Sequence, residues 1–144
     1  MKTLKNLTIL ITLLFFTSSS FAADETIEML NKLDKESMVY SKKIVKIDIG
    51  DTVFWKAKTR GHNVEFIKGG VPTGVEKFKT KFNQDAQYKF NVPGIYAYWC
   101  TPHKSMGMIA LVVVGGDTSN KDAIAKIKAM GKSKKKLPKL LEQL

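Results

Sequence analysis

The sequence predicts one all-β domain, an antiparallel sandwich or barrel, followed by two short C-terminal helices. Three observations carry this reading. Apolar and polar residues alternate with period 2 through most of the chain beyond residue 23. Turn pairs such as Gly50-Asp51 and Pro93-Gly94 break these runs into short strands. After Gly115-Gly116 the apolar spacing changes from that of a strand to that of a helix.

The first 22 residues read as a cleaved secretory signal. Lys2 and Lys5 precede an apolar run over residues 7–16, and a Ser-rich stretch then leads into Phe21-Ala22-Ala23, with small residues spaced for cleavage. A membrane-spanning helix needs about 20 apolar residues, more than this run offers. Residues 23–116 are expected to form the β-domain, and 117–144 two helices packed on it. Within the domain, residues 25–30 alternate, 43–49 run into Gly50-Asp51, and 52–57 resume beyond that turn as a hairpin partner. Residues 87–92 and 95–100 form two further strands around Pro93-Gly94. The β-branched run 108–114 has the composition of a strand buried on both faces. Asp117 or Thr118 can cap a helix that places Ala123, Ile124, Ile127 and Met130 on one face and ends at Gly131. Residues 132–136 read as a solvated linker, and Leu137, Leu140, Leu141 and Leu144 as a second amphipathic helix with Pro138 near its start.

The chain of 144 residues carries a formal net charge of +11, of which the signal's two lysines supply two. Such an excess favours encounter with acidic proteins, anionic membrane surfaces or nucleic acid. Export argues against nucleic acid, and no span beyond the signal suits membrane insertion. A monomer is expected.

The chemistry concentrates in Cys100-Thr-Pro-His103-Lys-Ser-Met106-Gly-Met108, which holds the only cysteine, one of two histidines and two of six methionines. In an oxidising compartment a solitary thiol cannot pair within its own chain, so an occupied ligand position gives it a use. A loop joining two strands brings both its ends together, so thiol, imidazole and thioether converge there. The other histidine, His62, follows Gly61 just beyond the strand carrying Trp55. Two imidazoles, one thiolate and a weak thioether are the donor set of blue-copper electron-transfer sites; zinc accepts the first three, and hard ions prefer oxygen. Spacing leaves Met106 and Met108 both open as the thioether.

Taken together, Gly61-His62-Asn63-Val64-Glu65, Glu76-Lys-Phe-Lys79, Pro93-Gly94 before a Tyr-bearing strand, Cys100-Thr-Pro-His103 and Met106-Gly-Met-Ile-Ala-Leu111 resemble the cupredoxins, and among them the pseudoazurins, over essentially the whole chain beyond the signal. The resemblance implies a cupredoxin-like Greek-key sandwich holding one type 1 copper through His62, Cys100, His103 and Met108. It implies a periplasmic carrier that takes electrons from a cytochrome or dehydrogenase and delivers them to an acidic redox protein such as copper nitrite reductase. By the same resemblance Asn63 ties the two ligand loops together, Met38 sits against the exposed imidazole, and Lys32, Arg60, Lys79 and Lys81 gather around the patch where His103 meets solvent. Lys104 adds a charge beside His103. Pro102 has no N–H to offer the Cys100 sulfur. Lys104-Ser105 and Trp99 depart from the family pattern.

Other classes are weaker on these residues. A thiol enzyme built on Cys100 and His103 lacks an evident third group and substrate pocket. A structural or regulatory zinc- or copper-binding module without redox function leaves the thioether without a role.

Overall fold

The computed structural model describes residues 23–144, so the signal assigned to residues 1–22 lies outside the described residues. Eight strands form two four-stranded sheets. The strands are β1 (Glu25–Leu33), β2 (Glu36–Tyr40), β3 (Ile44–Ile47), β4 (Thr52–Ala57), β5 (Glu65–Phe66), β6 (Ala86–Lys89), β7 (Gly94–Trp99) and β8 (Ile109–Val114). One sheet runs β2-β1-β4-β6 and the other β3-β8-β7-β5.

The predicted sandwich is present, but its sheets are mixed. β1 lies parallel to β4, and β3 parallel to β8. The hairpin expected across Gly50-Asp51 does not form, because β3 and β4 belong to different sheets. The corner between them is pinned from outside. Gly50, at φ +96°, donates its N–H to the Phe90 carbonyl at 2.7 Å, and Phe90 returns a bond to the Asp51 carbonyl at 2.9 Å. The buried Asp51 carboxylate accepts the Asp48 N–H at 2.9 Å. A Gly-Asp pair supplies the turn but does not select which strand is paired afterwards.

The reason β3 crosses over lies in β8. All six of its residues are buried. Ala110, Val112 and Val114 face the inter-sheet core with Trp55, Tyr96 and Tyr98, whereas Ile109, Leu111 and Val113 face a second cluster with Ile95, Ala97, Ile124, Leu137, Leu140 and Leu141. Such a strand is central and needs a neighbour on each edge. β7 supplies one and β3 the other.

The second cluster is closed by α1 (Lys121–Ala125) and α2 (Gly131–Leu141), and here the sequence reading is corrected. α1 stops after five residues; Ile124 is buried, but Ala123 and Met130 are exposed. Gly131 opens α2 instead of ending α1, residues 132–136 are helical instead of a linker, and Pro138 falls late in α2. The cause is tertiary. α2 packs against a 3-10 turn, Thr101–Met106, so closely that a Cβ on Gly131 would stand 2.2 Å from the Ser105 carbonyl oxygen. Ser133 is fully buried and donates its hydroxyl to the Lys104 carbonyl. The side chains of Lys132 and Lys136 pass within 3.1 Å of where a Gly107 Cβ would be, so their methylene stems pack although their charges stay outside.

Gly131→Ala should therefore destabilise the protein by at least about 3 kcal/mol, combining left-handed backbone strain with the Ser105 clash. Gly116→Ala, at a similar φ but with nothing within 4 Å, should cost only about 1 kcal/mol. Urea unfolding of the two variants checks the difference.

Candidate metal centre

The two loops at one pole of the sandwich carry the chemistry. After β4 the chain turns at Gly61, at φ +96°, and enters His62, which is fully buried. After β7 it passes through the buried Cys100 into the 3-10 turn with His103, and returns at Gly107 (φ +91°) to the buried Met108. Backbone bonds lace this second loop shut. Cys100 N–H donates to the Met108 carbonyl at 3.0 Å, His103 N–H to the Cys100 carbonyl at 3.1 Å, and Met108 N–H to the His103 carbonyl at 3.2 Å.

His62, Cys100 and His103 each present a donor atom, all within 4.8 Å of one another. His62 Nδ1 lies 3.7 Å and His103 Nδ1 3.4 Å from the Cys100 sulfur. The orientation of His62 is set from behind. Its Nε2 is 2.8 Å from Asn31 Oδ1, and an amide oxygen only accepts, so Nε2 carries the proton and the Nδ1 lone pair points at the sulfur. Met108 is fully buried in the same core cluster as Cys100, whereas Met106 is 42% exposed.

Burial, reinforced by the neighbouring His103, lowers the His62 pKa to about 4. Burial lowers that of His103 as well. Both rings are thus neutral lone-pair donors near neutral pH. Burial pushes the Cys100 thiol up, opposed by backbone N–H groups of Asn63 and His103 directed at the sulfur. A thiol with a raised pKa and neutral imidazoles nearby is a poor catalytic ion pair but a good site for a soft or borderline cation, which displaces the thiol proton and leaves less charge to bury.

Asn63 bridges the two loops through its side chain and reaches β2 through its backbone. Its Oδ1 accepts the Thr101 N–H at 2.8 Å, its Nδ2 donates to Thr101 Oγ1 at 2.9 Å, and its carbonyl accepts the Tyr40 hydroxyl at 2.8 Å. Thr101 passes the network to Glu65 at 2.6 Å, where Trp99 Nε1 also donates at 3.2 Å and Lys79 pairs at 3.4 Å. Burial alone raises the Glu65 pKa, but the Thr101 and Trp99 bonds and the Lys79 charge outweigh it and hold the carboxyl below its ordinary value. Trp99 itself is half-buried and packs against the cluster under the helices.

Of the remaining residues, Pro102 is exposed in the first turn of the 3-10 helix. Met38 is half-buried against the core cluster, in the left-handed region at φ +53°, on the strand that runs beside the 3-10 turn. Lys32, Arg60, Lys79 and Lys81 are exposed. The Lys81 segment belongs to the same pole, since Asn83 accepts the Gly61 N–H at 2.6 Å through its side chain and donates its own N–H to the His62 carbonyl at 3.0 Å. Lys104 is half-buried with its ammonium 5.2 Å from the centre of the Trp99 ring. Asn31, Thr101 and Glu65 were not singled out from sequence as site residues. Asn31 and His62 are 31 positions apart with no local pattern linking them.

Similarity to known proteins can now be placed on this geometry. The copper-binding proteins of the plastocyanin/azurin family match residues 27–115. Pseudoazurin from Paracoccus pantotrophus is 37% identical over 132 residues, covering 92% of this chain and 91% of that protein. The crystal structure of pseudoazurin from Methylobacterium extorquens AM1 superposes with a TM-score of 0.80 at 36% identity, covering 84% of this chain and 98% of that one. Native pseudoazurin from Hyphomicrobium denitrificans gives the same TM-score, 0.80, at 35% identity over 85% of this chain and 98% of that one.

The His62 ring yields a pH prediction for the metal-free protein. Its folded pKa lies below the unfolded value of 6.5, so on acidification the unfolded chain takes the proton first. Stability should be fully present above pH 6.5 and fall as the pH drops toward 4, by a His62 contribution of up to about 3 kcal/mol. Urea unfolding on either side of this window checks it, and His62→Phe should flatten the slope to what His103 and the carboxylates leave.

Proposed function

The chain belongs to the copper-binding plastocyanin/azurin family, among its pseudoazurins, and from that premise we propose that it is an exported one-electron carrier whose copper is held by His62, Cys100, His103 and Met108. The observation that carries the ligand assignment is the convergence of donor atoms from the buried His62 and Cys100 and the half-buried His103 within 4.8 Å, with the His62 Nε2 proton donated to Asn31. Among the two candidate thioethers, burial favours Met108 over the exposed Met106 as the weak fourth ligand. Bound in this donor set, copper supplies a Cu(II)/Cu(I) couple. Pseudoazurins are electron-transfer proteins and not enzymes.

The chain's own residues make that couple usable. Asn63, Thr101 and the three backbone bonds of the Cys100 loop hold the donors in place, so little atomic movement accompanies a change of charge. Complete burial of His62, Cys100 and Met108 excludes water from the donors. His103 alone among the four retains partial exposure, which makes its ring edge the route for the electron to leave. The segments of the same pole also carry the apolar Met106, 42% exposed at the end of the 3-10 turn, and Phe82, 49% exposed between Lys81 and Asn83, with Arg60 exposed next to Gly61. An apolar centre with a basic rim suits brief docking to an acidic redox protein, with nitrite reductase the proposed acceptor and a cytochrome or dehydrogenase the proposed donor. The signal assigned to residues 1–22 supports a periplasmic setting, and among the described residues no helix is long and apolar enough to cross a membrane.

Adding Cu(II) to the metal-free protein should produce an intense visible band that Zn(II) does not give. Met108→Leu should change that spectrum and the reduction potential strongly and Met106→Leu little; the opposite ranking reassigns the ligand. Stopped-flow reduction of an acidic partner should slow as salt rises, and Arg60→Glu or Lys81→Glu should lower the low-salt rate several-fold, with a flat salt profile removing the docking assignment.

A further inference from the structure

Beyond the lysines and arginine set around His103, a second concentration of charge lies on the two C-terminal helices and the segment that joins them. Between residues 121 and 139 there are eight lysines and one acid, Asp122. Six of these lysines are exposed, and among the described residues only Lys136 reaches a carboxylate, that of Glu36 at 4.0 Å. The arrangement works against the helix that carries it. Lys132 with Lys136, and Lys135 with Lys139, are like charges four residues apart, and the first turn of α2 has no acid although a helix N-terminus favours one. Leu137, Leu140 and Leu141 already anchor α2 to the core, so Lys134, Lys135 and Lys139 contribute charge outward and little packing inward.

A second feature lies between the same lysines. The junction of α1 and α2 leaves an open groove of about 590 Å³, lined by Ala125, Ile127, Leu137, Pro138 and Leu141 and flanked by Lys128 and Lys134. An apolar floor between ammonium groups is complementary to an amphiphile with an anionic head and a hydrocarbon tail. We propose that the α1–α2 face docks the protein on a bilayer containing anionic phospholipid, with the lysines on the headgroups and the groove receiving part of an acyl chain. The contact is peripheral, because the leucines of α2 are committed to the core and no described helix can cross a membrane. Its strength is therefore electrostatic and reversible by salt. An acidic protein would answer the lysines but would leave the groove between them without a purpose.

Co-sedimentation of the copper-loaded protein with phosphatidylcholine vesicles, with and without phosphatidylglycerol, tests this. Binding should require phosphatidylglycerol and vanish by about 0.5 M salt. Each neutralised lysine should weaken partitioning about fivefold, so Lys128→Gln, Lys134→Gln, Lys135→Gln and Lys139→Gln together should weaken it more than a hundredfold. Circular dichroism verifies that this variant folds. Arg60→Gln with Lys81→Gln should change vesicle binding less than tenfold. No sedimentation with anionic vesicles, equal sedimentation without phosphatidylglycerol, or loss in the Arg60/Lys81 variant instead of the helix variant overturns the proposal. Retention on polyglutamate without vesicle binding also overturns it and assigns the face to an acidic protein. These readouts do not depend on electron transfer, so they fail or succeed separately from the carrier function.

Discussion

The carboxamide of Asn63 is the contact on which the metal pole depends. It sits one residue from His62 and makes two hydrogen bonds to Thr101, one residue from Cys100, so the separation of two donors on distant loops is set by a single planar group. Each such bond contributes only about 1 kcal/mol net, but leaving either partner unsatisfied in a fully buried position costs about 1–3 kcal/mol. Tyr40 and Glu65 extend the network into the core and to the sheet edge. Loops are ordinarily the mobile part of a β-sandwich. Here the hydrogen bonds make two of them a stiff frame.

The helices complete that frame from the other side. By covering the outer face of β7 and β8 they allow β8 to be apolar on both faces, and by closing on the 3-10 turn they brace the segment that bears His103. The fit at Gly131 and Ser133 shows that α2 is part of the site's support and not an appendage. The interior is not fully satisfied: Trp55 Nε1 and the Tyr98 hydroxyl are buried without hydrogen-bond partners among the described residues, where their rings meet edge to face at 5.4 Å. Each such atom costs on the order of 1 kcal/mol or more, which the surrounding aromatic packing offsets.

The charge distribution follows a division of labour. At the metal pole, Arg60 and Lys81 are exposed on segments that also carry the exposed apolar Phe82. Over the helices lysines crowd at spacings that oppose helix stability. Ion pairs such as Lys56 with Asp85 and Lys58 with Glu28 are exposed and contribute little to the fold. Little of the excess basic charge is therefore engaged in stabilising the fold.

Much of the architecture was legible beforehand, for identifiable reasons. Strand positions follow from period 2, the doubly buried β8 from its β-branched run, and the donor set from a chain with one cysteine and two histidines, since so few soft ligands leave few ways to combine them. The pairing of β3 with β8 was not legible, because a Gly-Asp turn fixes direction locally and says nothing about which sheet receives the next strand. Nor was the helical state of residues 132–136, whose lysines read as a solvated linker because nothing local shows that Gly131 and Ser133 pack against the Ser105 and Lys104 carbonyls. Asn31, which decides the His62 tautomer, carries no signal at all until β1 is laid beside the loop after β4. Residue chemistry alone thus determined what could be bound, because donor softness is a property of side chains. Only the tertiary structure decided how the donors are aimed and held, because aim depends on hydrogen bonds between segments that are far apart in the chain.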